Sequence, residues 1–220
     1  MFFDEHEWET IDAATARIFP TDHDPGAREA RAVRYIDRYL SGIGYIFATA
    51  DGTGFLRMDG RIAEAWEERI IMLRTLYRDG IRRLDQAAQE LFSGAFVTLS
   101  DEQQDAVLEV VAGTPKASAV EAGQMQPYGT TLQSVSDHNC DFFSALALHT
   151  RQGFYGDPAY GGNKNRVGWQ MIGFPGPESL AETNDCTYSV RSYLIEDVDW
   201  AELIPHLRNE ALEMSTAEIL

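Results

Sequence analysis

Apolar residues recur along most of this chain at the three- and four-residue spacing that turns one face of an α-helix toward a core. Trp8, Ile11, Ala14 and Ile18 do so first, with Asp4 and Glu7 placed as a capping box before them and Pro20 as a stop. Asp24-Pro25 gives the next start signal: an acceptor at the cap, then a proline whose missing N–H is harmless in a first turn. The helix it opens carries Ala32, Ile36 and Leu40 toward Gly42 and Gly44. From Gly60 to Phe92 a stripe runs through Ile62, Trp66, Ile70, Leu73 and Tyr77, then Ile81, Leu84, Ala88 and Leu91. Gly80 is the point where that long helix can kink or split. Ser100 and Gln103 form a second capping box and lead Val107, Leu108 and Val111 to a stop at Gly113. After an unpatterned stretch from Thr114 to about Gln133, a helix beginning near Ser136 carries Cys140, Phe143, Leu146 and Ala147 toward Gly153.

The pattern breaks between Gly153 and Pro177, where glycine and proline are dense and Phe154, Tyr155, Tyr160, Trp169 and Phe174 stand among them. A loop this long inside a compact domain is usually functional or a docking surface. Large rigid rings on an irregular segment suit interface hot spots. They suit equally well the task of stapling the segment to its own helices. A strand-like stretch from Thr187 to Ile195 and a final helix from about Asp199, with Pro205 in its first turns, close the chain. The expectation is one all-α domain with little or no strand. It comprises an irregular helical core over about 1–153, an extended Gly/aromatic-rich arm over about 153–198 and a C-terminal helix over about 199–220.

The length of 220 residues suits one domain with a proper core, and 44% apolar with 24% charged residues is globular composition. Acidic residues outnumber basic ones 35 to 18, a formal charge of −17. Such a surface repels phosphate, so nucleic acid and anionic membrane are poor partners, and a basic protein or a neutral ligand is easier to accept. No apolar run is long enough to cross a bilayer; the longest, Gly44 to Ala48 and Phe142 to Leu148, read as core segments. The opening Met-Phe-Phe-Asp-Glu-His-Glu has no basic region, twin arginine or apolar signal core. That predicts the cytoplasm, with the periplasm as the alternative for a chain exported with a partner or relieved of a leader. Cys140 and Cys186 are two thiols, one bridge, or a link to another chain.

Chemical signatures are few. There is no Gly-x-Gly-x-x-Gly after a strand, no P-loop, no nucleophile elbow and no His-Glu-x-x-His, so no catalytic residue and no cofactor are expected on this chain. His138, Cys140 and His149 lie near one helix, but the two histidines are about three turns apart, too far to share an ion, and no metal is expected. His138 and Asn139, as neighbours, point in different directions. Glu67, Glu68 and Asp79, with Arg74 and Arg78 nearby, read as a solvated helix face. The competing reading is a free-standing enzyme with an unrecognised carboxylate or histidine site, recognisable by a closed polar pocket holding perturbed titratable groups.

The segment Gly153-Phe-Tyr-Gly-Asp-Pro-Ala-Tyr-Gly-Gly-Asn-Lys-Asn-Arg-Val-Gly-Trp-Gln-Met-Ile-Gly-Phe-Pro-Gly-Pro177 resembles the signature of the gluconate 2-dehydrogenase subunit 3 family. Three other parts agree in order and spacing. They are Arg17-Ile18-Phe19-Pro20 with Asp22, Asp24-Pro25-Gly26-Ala27 and Tyr35-Ile36-Asp37; Leu99-Ser100-Asp101-Glu102-Gln103-Gln104; and Phe142-Phe143 with His149-Thr150. The resemblance spans about residues 2–177. It implies a small subunit with no chemistry of its own, bound to a large catalytic subunit of the glucose–methanol–choline oxidoreductase type. That subunit holds FAD, often an iron–sulfur cluster, and oxidises gluconate, glucose, fructose or glycosides, glucoside 3-dehydrogenases included; a cytochrome c is the electron acceptor expected. The small subunit is then needed for folding, stability, maturation or export of its partner, and a transient dedicated chaperone is the variant reading.

On the same resemblance the partner interface comprises Phe154, Tyr155, Asp157, Pro158, Tyr160, Gly161, Gly162, Asn163, Trp169, Phe174 and Pro175, with the five rings centring an exposed apolar patch. Cys140 or Cys186 could add a disulfide, against the plainer role of buried thiols. Many members of the family carry a twin-arginine signal, and the opening residues of this chain show none, so an export role is expected only if a leader was removed or the partner supplies one. The chain also has Lys164-Asn165-Arg166 where a more acidic turn is expected, which puts positive charge on the arm of an acidic protein.

Overall fold

The computed structural model describes residues 1–49, 54–113, 137 and 140–176, all within one compact unit, Met1–Gly176. The stretch from Thr114 to Gln133, Cys186, the strand-like residues 187–195 and the final helix lie outside the described residues. Seven α-helices form among the described residues: α1 (Glu5–Ile18), α2 (Ala27–Ala30), α3 (Ala32–Ser41), α4 (Gly60–Phe92), α5 (Asp101–Ala112), α6 (Phe142–Tyr155) and α7 (Val167–Met171). Their only β-type pairing is an isolated bridge between Ala48 and Phe55, so the described architecture is all-α. None of these helices is long and apolar enough to cross a membrane.

Both predicted capping boxes form. Asp4 Oδ1 accepts from the Glu7 N–H at 2.8 Å while Glu7 Oε2 accepts from the Asp4 N–H at 3.1 Å, and Ser100 and Gln103 do the same for α5. The second helix starts later than Asp24-Pro25 suggests. Its cap is Gly26, whose N–H donates to Glu29 at 2.9 Å. A Cβ at Gly26 would sit 2.6 Å from Phe19 O, so this turn folds tightly onto the end of α1 and only then begins to coil. Arg31, with φ 54°, then breaks the coil into α2 and α3. At the N-terminus the backbone N–H groups of Phe2 and Phe3 both donate to the buried Asp37 carboxylate on α3, at 2.8 and 2.9 Å.

α4 runs unbroken through Gly80. That glycine marks a close approach rather than a kink: a Cβ there would lie 2.1 Å from the Phe142 ring, so its absence lets α6 press against α4. The predicted stripe is buried from Ile70 to Ala88, whereas Ile62 is 65% and Leu91 49% exposed. A helix of 33 residues is about 50 Å long and outruns the core at both ends. Arg74, expected on a solvated face, instead donates to the carbonyls of Leu40 and Ser41, both at 2.7 Å, and closes the C-terminal end of α3.

The core joins Ile11 of α1, Ile36 and Leu40 of α3, Leu73, Tyr77 and Leu84 of α4, Phe96, Val107 of α5 and Leu146 of α6, all fully buried. Phe142 to Leu148 belongs to it as predicted, entering α6 behind Asp141, which caps Ser144 N at 2.8 Å. Gly44 to Ala48 does not: it forms a surface turn that leaves Tyr45 and Phe47 about 40% exposed.

Candidate functional site

The glycine–aromatic segment is not an extended arm over its described length. It folds back as a clip against α2, α3 and the end of α6. After α6, Asp157 Oδ1 accepts from Ala159 N at 2.8 Å to start a 3-10 turn, Pro158–Tyr160; a second such turn, Lys164–Arg166, leads into α7. Asn163 is the hub. It is fully buried in the left-handed region (φ 44°). Its side chain donates to Gly156 O and accepts from Gly168 N, both at 2.9 Å, while its N–H donates to Gly153 O at 2.6 Å. Backbone meets backbone here: a Cβ at Gly162 would stand 2.0 Å from Gly153 O, and one at Gly168 2.1 Å from Phe154 O.

This construction corrects the expected orientation of four interface candidates. Phe154 and Trp169 are 0% and 5% exposed, and Gly162 and Asn163 are buried too. Phe154 stacks on Phe19 with ring centres 4.1 Å apart, and Trp169 donates its indole N–H to Tyr155 O at 2.7 Å. Those two rings hold the clip to its own helices, because a segment without periodic hydrogen bonds needs large anchors and capped carbonyls to stay ordered. Tyr155, Asp157, Pro158, Tyr160, Gly161 and Phe174 are half-buried, and Pro175 is exposed. The exposed large apolar side chains of the clip are two that the aromatic pattern does not single out, Met171 (36% exposed) and Ile172 (58%). The register of α7 could have found Met171, since an inward Trp169 turns a residue two positions later well away from the core, whereas Ile172 follows the end of the helix and has no such signal.

Behind the clip lies a buried polar network. His149 Nε2 is 3.0 Å from Asp137 Oδ2, and the carboxylate can only accept, so Nε2 carries the proton. His149 Nδ1 therefore accepts from the Tyr77 hydroxyl at 2.7 Å. Asp137 also accepts from the Tyr39 hydroxyl at 2.8 Å and pairs with Arg69, which lies 4.8 Å over the Trp66 ring. Burial first, and then the Arg69 guanidinium, push His149 down to about 3 from an ordinary 6.5. Burial likewise pushes Tyr35 and Tyr39 up to about 12 and Tyr77 well above its usual value. A cleft of about 430 Å³ opens beside this network, between Tyr39, Trp66, Arg69 and Tyr160.

Of the other candidates, Cys140 is half-buried and packs on the core just ahead of the α6 cap, while His138, Asn139 and Cys186 fall outside the described residues. Glu67, Glu68 and Asp79 are exposed, with Asp79 paired to Arg82 and Arg78 reaching Glu7 at 3.6 Å. Both nitrogens of His149 are hydrogen-bonded within the chain, and the ring is fully buried.

Fold and site together define a class: a small helical domain sealed by a glycine–aromatic clip, with a buried Tyr77–His149–Asp137–Tyr39 network behind it. The chain belongs to the gluconate 2-dehydrogenase subunit 3 family, whose model matches residues 5–176, the clip included. It is thus a small subunit of a dehydrogenase complex. No curated protein and no solved structure matches it.

Proposed function

We propose that this chain is the non-catalytic small subunit of a heteromeric, FAD-dependent dehydrogenase of the glucose–methanol–choline type that oxidises a sugar or glycoside, and that it keeps the catalytic subunit folded. FAD, and an iron–sulfur cluster where the complex has one, belong to the large subunit in this reading, with a cytochrome c as electron acceptor. The observation that carries it is the family match across residues 5–176, which takes in a clip whose conformation is fixed by its own hydrogen bonds. A surface ordered in advance loses little entropy on docking. The clip presents Met171, Ile172 and Pro175 outward beside the half-buried Tyr155, an apolar edge suited to covering apolar surface on a partner. Binding only the native partner stabilises it by mass action, which accounts for a folding role without any chemistry.

The test is to express the chain with and without the flavoprotein encoded beside it and to follow flavin absorbance through size exclusion. Co-elution with a flavoprotein that is insoluble or inactive alone is the expected result. A colourless monomer with no effect on its neighbour overturns the proposal, and a partner that matures and then separates would make the chain a transient chaperone.

A further inference from the structure

Four of the eighteen basic residues of this acidic chain share one groove. Arg28, Arg31, Arg34 and Arg38 line one groove of about 640 Å³ along α2 and α3, with Trp8 and Tyr45 among its apolar walls. The groove's two carboxylates are already engaged: Asp12 accepts from Arg28 at 3.2 Å, and Asp37 holds the N–H groups of Phe2 and Phe3. Arg38 lies over the Tyr45 and Phe55 rings at 5.5 and 5.2 Å and donates to Ala159 O at 3.1 Å. Arg31 and Arg34 are exposed and make no ion pair and no side-chain hydrogen bond among the described residues. The groove is continuous with the clip, since a Cβ at Gly161 would meet Arg38 Cδ at 2.8 Å and Arg34 O at 3.4 Å. The Lys164–Arg166 turn packs beside α2, and neither of those cations is paired among the described residues.

A second observation is independent of charge. Arg31 (φ 54°) and Arg166 (φ 58°) both occupy the left-handed region, where glycine sits freely and an L side chain is strained. Ser93, Asn163 and Asn165 share the conformation, and at Arg31 it ends α2 with the backbone N–H donating to Ala27 O and Arg28 O, while the Arg31 guanidinium makes no ion pair among the described residues. Strained, non-glycine positions of this kind gather at ligand clamps.

We infer that the groove docks a short, carboxylate-rich segment of a protein partner. The guanidinium fork matches a carboxylate in two parallel hydrogen bonds, and the Trp8 and Tyr45 walls accept apolar side chains between the acidic ones. A long polyanion fits poorly, because it would run on over the rest of a surface of net charge −17, whereas screening over about 8–10 Å keeps the groove's field local enough for a short segment. In the subunit reading, on which only the identity of the partner rests, the segment belongs to the large subunit.

The experiment is fluorescence anisotropy of a dye-labelled octaglutamate peptide on the full chain, with inorganic tripolyphosphate as a competing probe. Saturable binding that weakens with salt is expected, and it should fall at least about tenfold in the double variant Arg31→Gly/Arg34→Ala, as losing charge-assisted hydrogen bonds implies. Arg82→Ala, which removes an exposed cation elsewhere, should leave it unchanged. Arg31→Gly alone should melt no lower than the wild type, which separates lost binding from lost folding. Absent binding, equal affinity in the double variant, or displacement by tripolyphosphate at concentrations far below those at which unlabelled octaglutamate displaces the probe overturns the inference, the last in favour of a phosphate ligand. Peptide binding without co-elution of a flavoprotein would leave the groove assignment standing and remove the subunit reading.

Discussion

His149 ties α6 to α4 through Tyr77 and to Asp137 through its other nitrogen, and that position adds one pH-dependent contribution to stability. Its folded-state pKa, about 3, lies below the ordinary 6.5 that the unfolded chain retains. Between those values the unfolded chain binds a proton that the folded one refuses. The stability from this site is therefore complete above about pH 6.5 and falls as pH drops toward 3, by about 1.4 kcal/mol per pH unit. Urea midpoints of the wild type should fall from pH 7 to pH 5, and those of His149→Gln, which keeps an acceptor and a donor but cannot charge, should fall less. Equal slopes in the two proteins would contradict the assignment. None of this was legible in the sequence, where His149 stood beside Cys140 as a poor metal candidate. The partners that define it, Tyr77 and Asp137, are distant in the chain and carry no local signal.

Helices were the most legible level, for physical reasons that also mark where reading stopped. α1 and α5 announce themselves through caps and a 3.6-residue stripe and α4 through its stripe alone, and both capping boxes form. The break between α2 and α3 is invisible because it is made by an arginine in a glycine's conformation. In the clip the choice of residues was readable but their direction was not, since an irregular segment has no period by which to assign inside and outside. Phe154 and Trp169 went in and Met171 and Ile172 came out. Gly80 gives the sharpest test at this scale. By helix propensity Gly80→Ala should stabilise α4 by about 1 kcal/mol. Its Cβ would instead meet the Phe142 ring at 2.1 Å, so a net loss of about 1–3 kcal/mol is expected by chemical denaturation, as for other overpacked cores. Phe142→Leu in the same chain should recover part of that loss; a Gly80→Ala protein as stable as the wild type would mean that α4 and α6 do not press together there.

Among the described residues, His149, Tyr77, Asp137 and Tyr39 are bonded to one another inside, while Met171, Ile172 and Pro175 of the clip and Arg31 and Arg34 of the groove are exposed. This is the arrangement expected of a subunit whose work is done by its surface. Family membership was readable from the spacing of aromatic and glycine residues and is borne out across residues 5–176. What composition obscured is that a net charge of −17 coexists with a groove lined by four arginines, because a sum of charges carries no positions. The most direct measurement is the flavin content of the soluble large subunit co-expressed with either wild-type chain or Ile172→Asp, a substitution at an exposed site that the fold of the isolated chain should tolerate. The account predicts a flavin-loaded complex with the wild type and a sharp loss of soluble, flavin-loaded partner with the variant, while the variant itself melts like the wild type. A large subunit that reaches the same flavin content with the wild type, with the variant and with no small chain at all would contradict it.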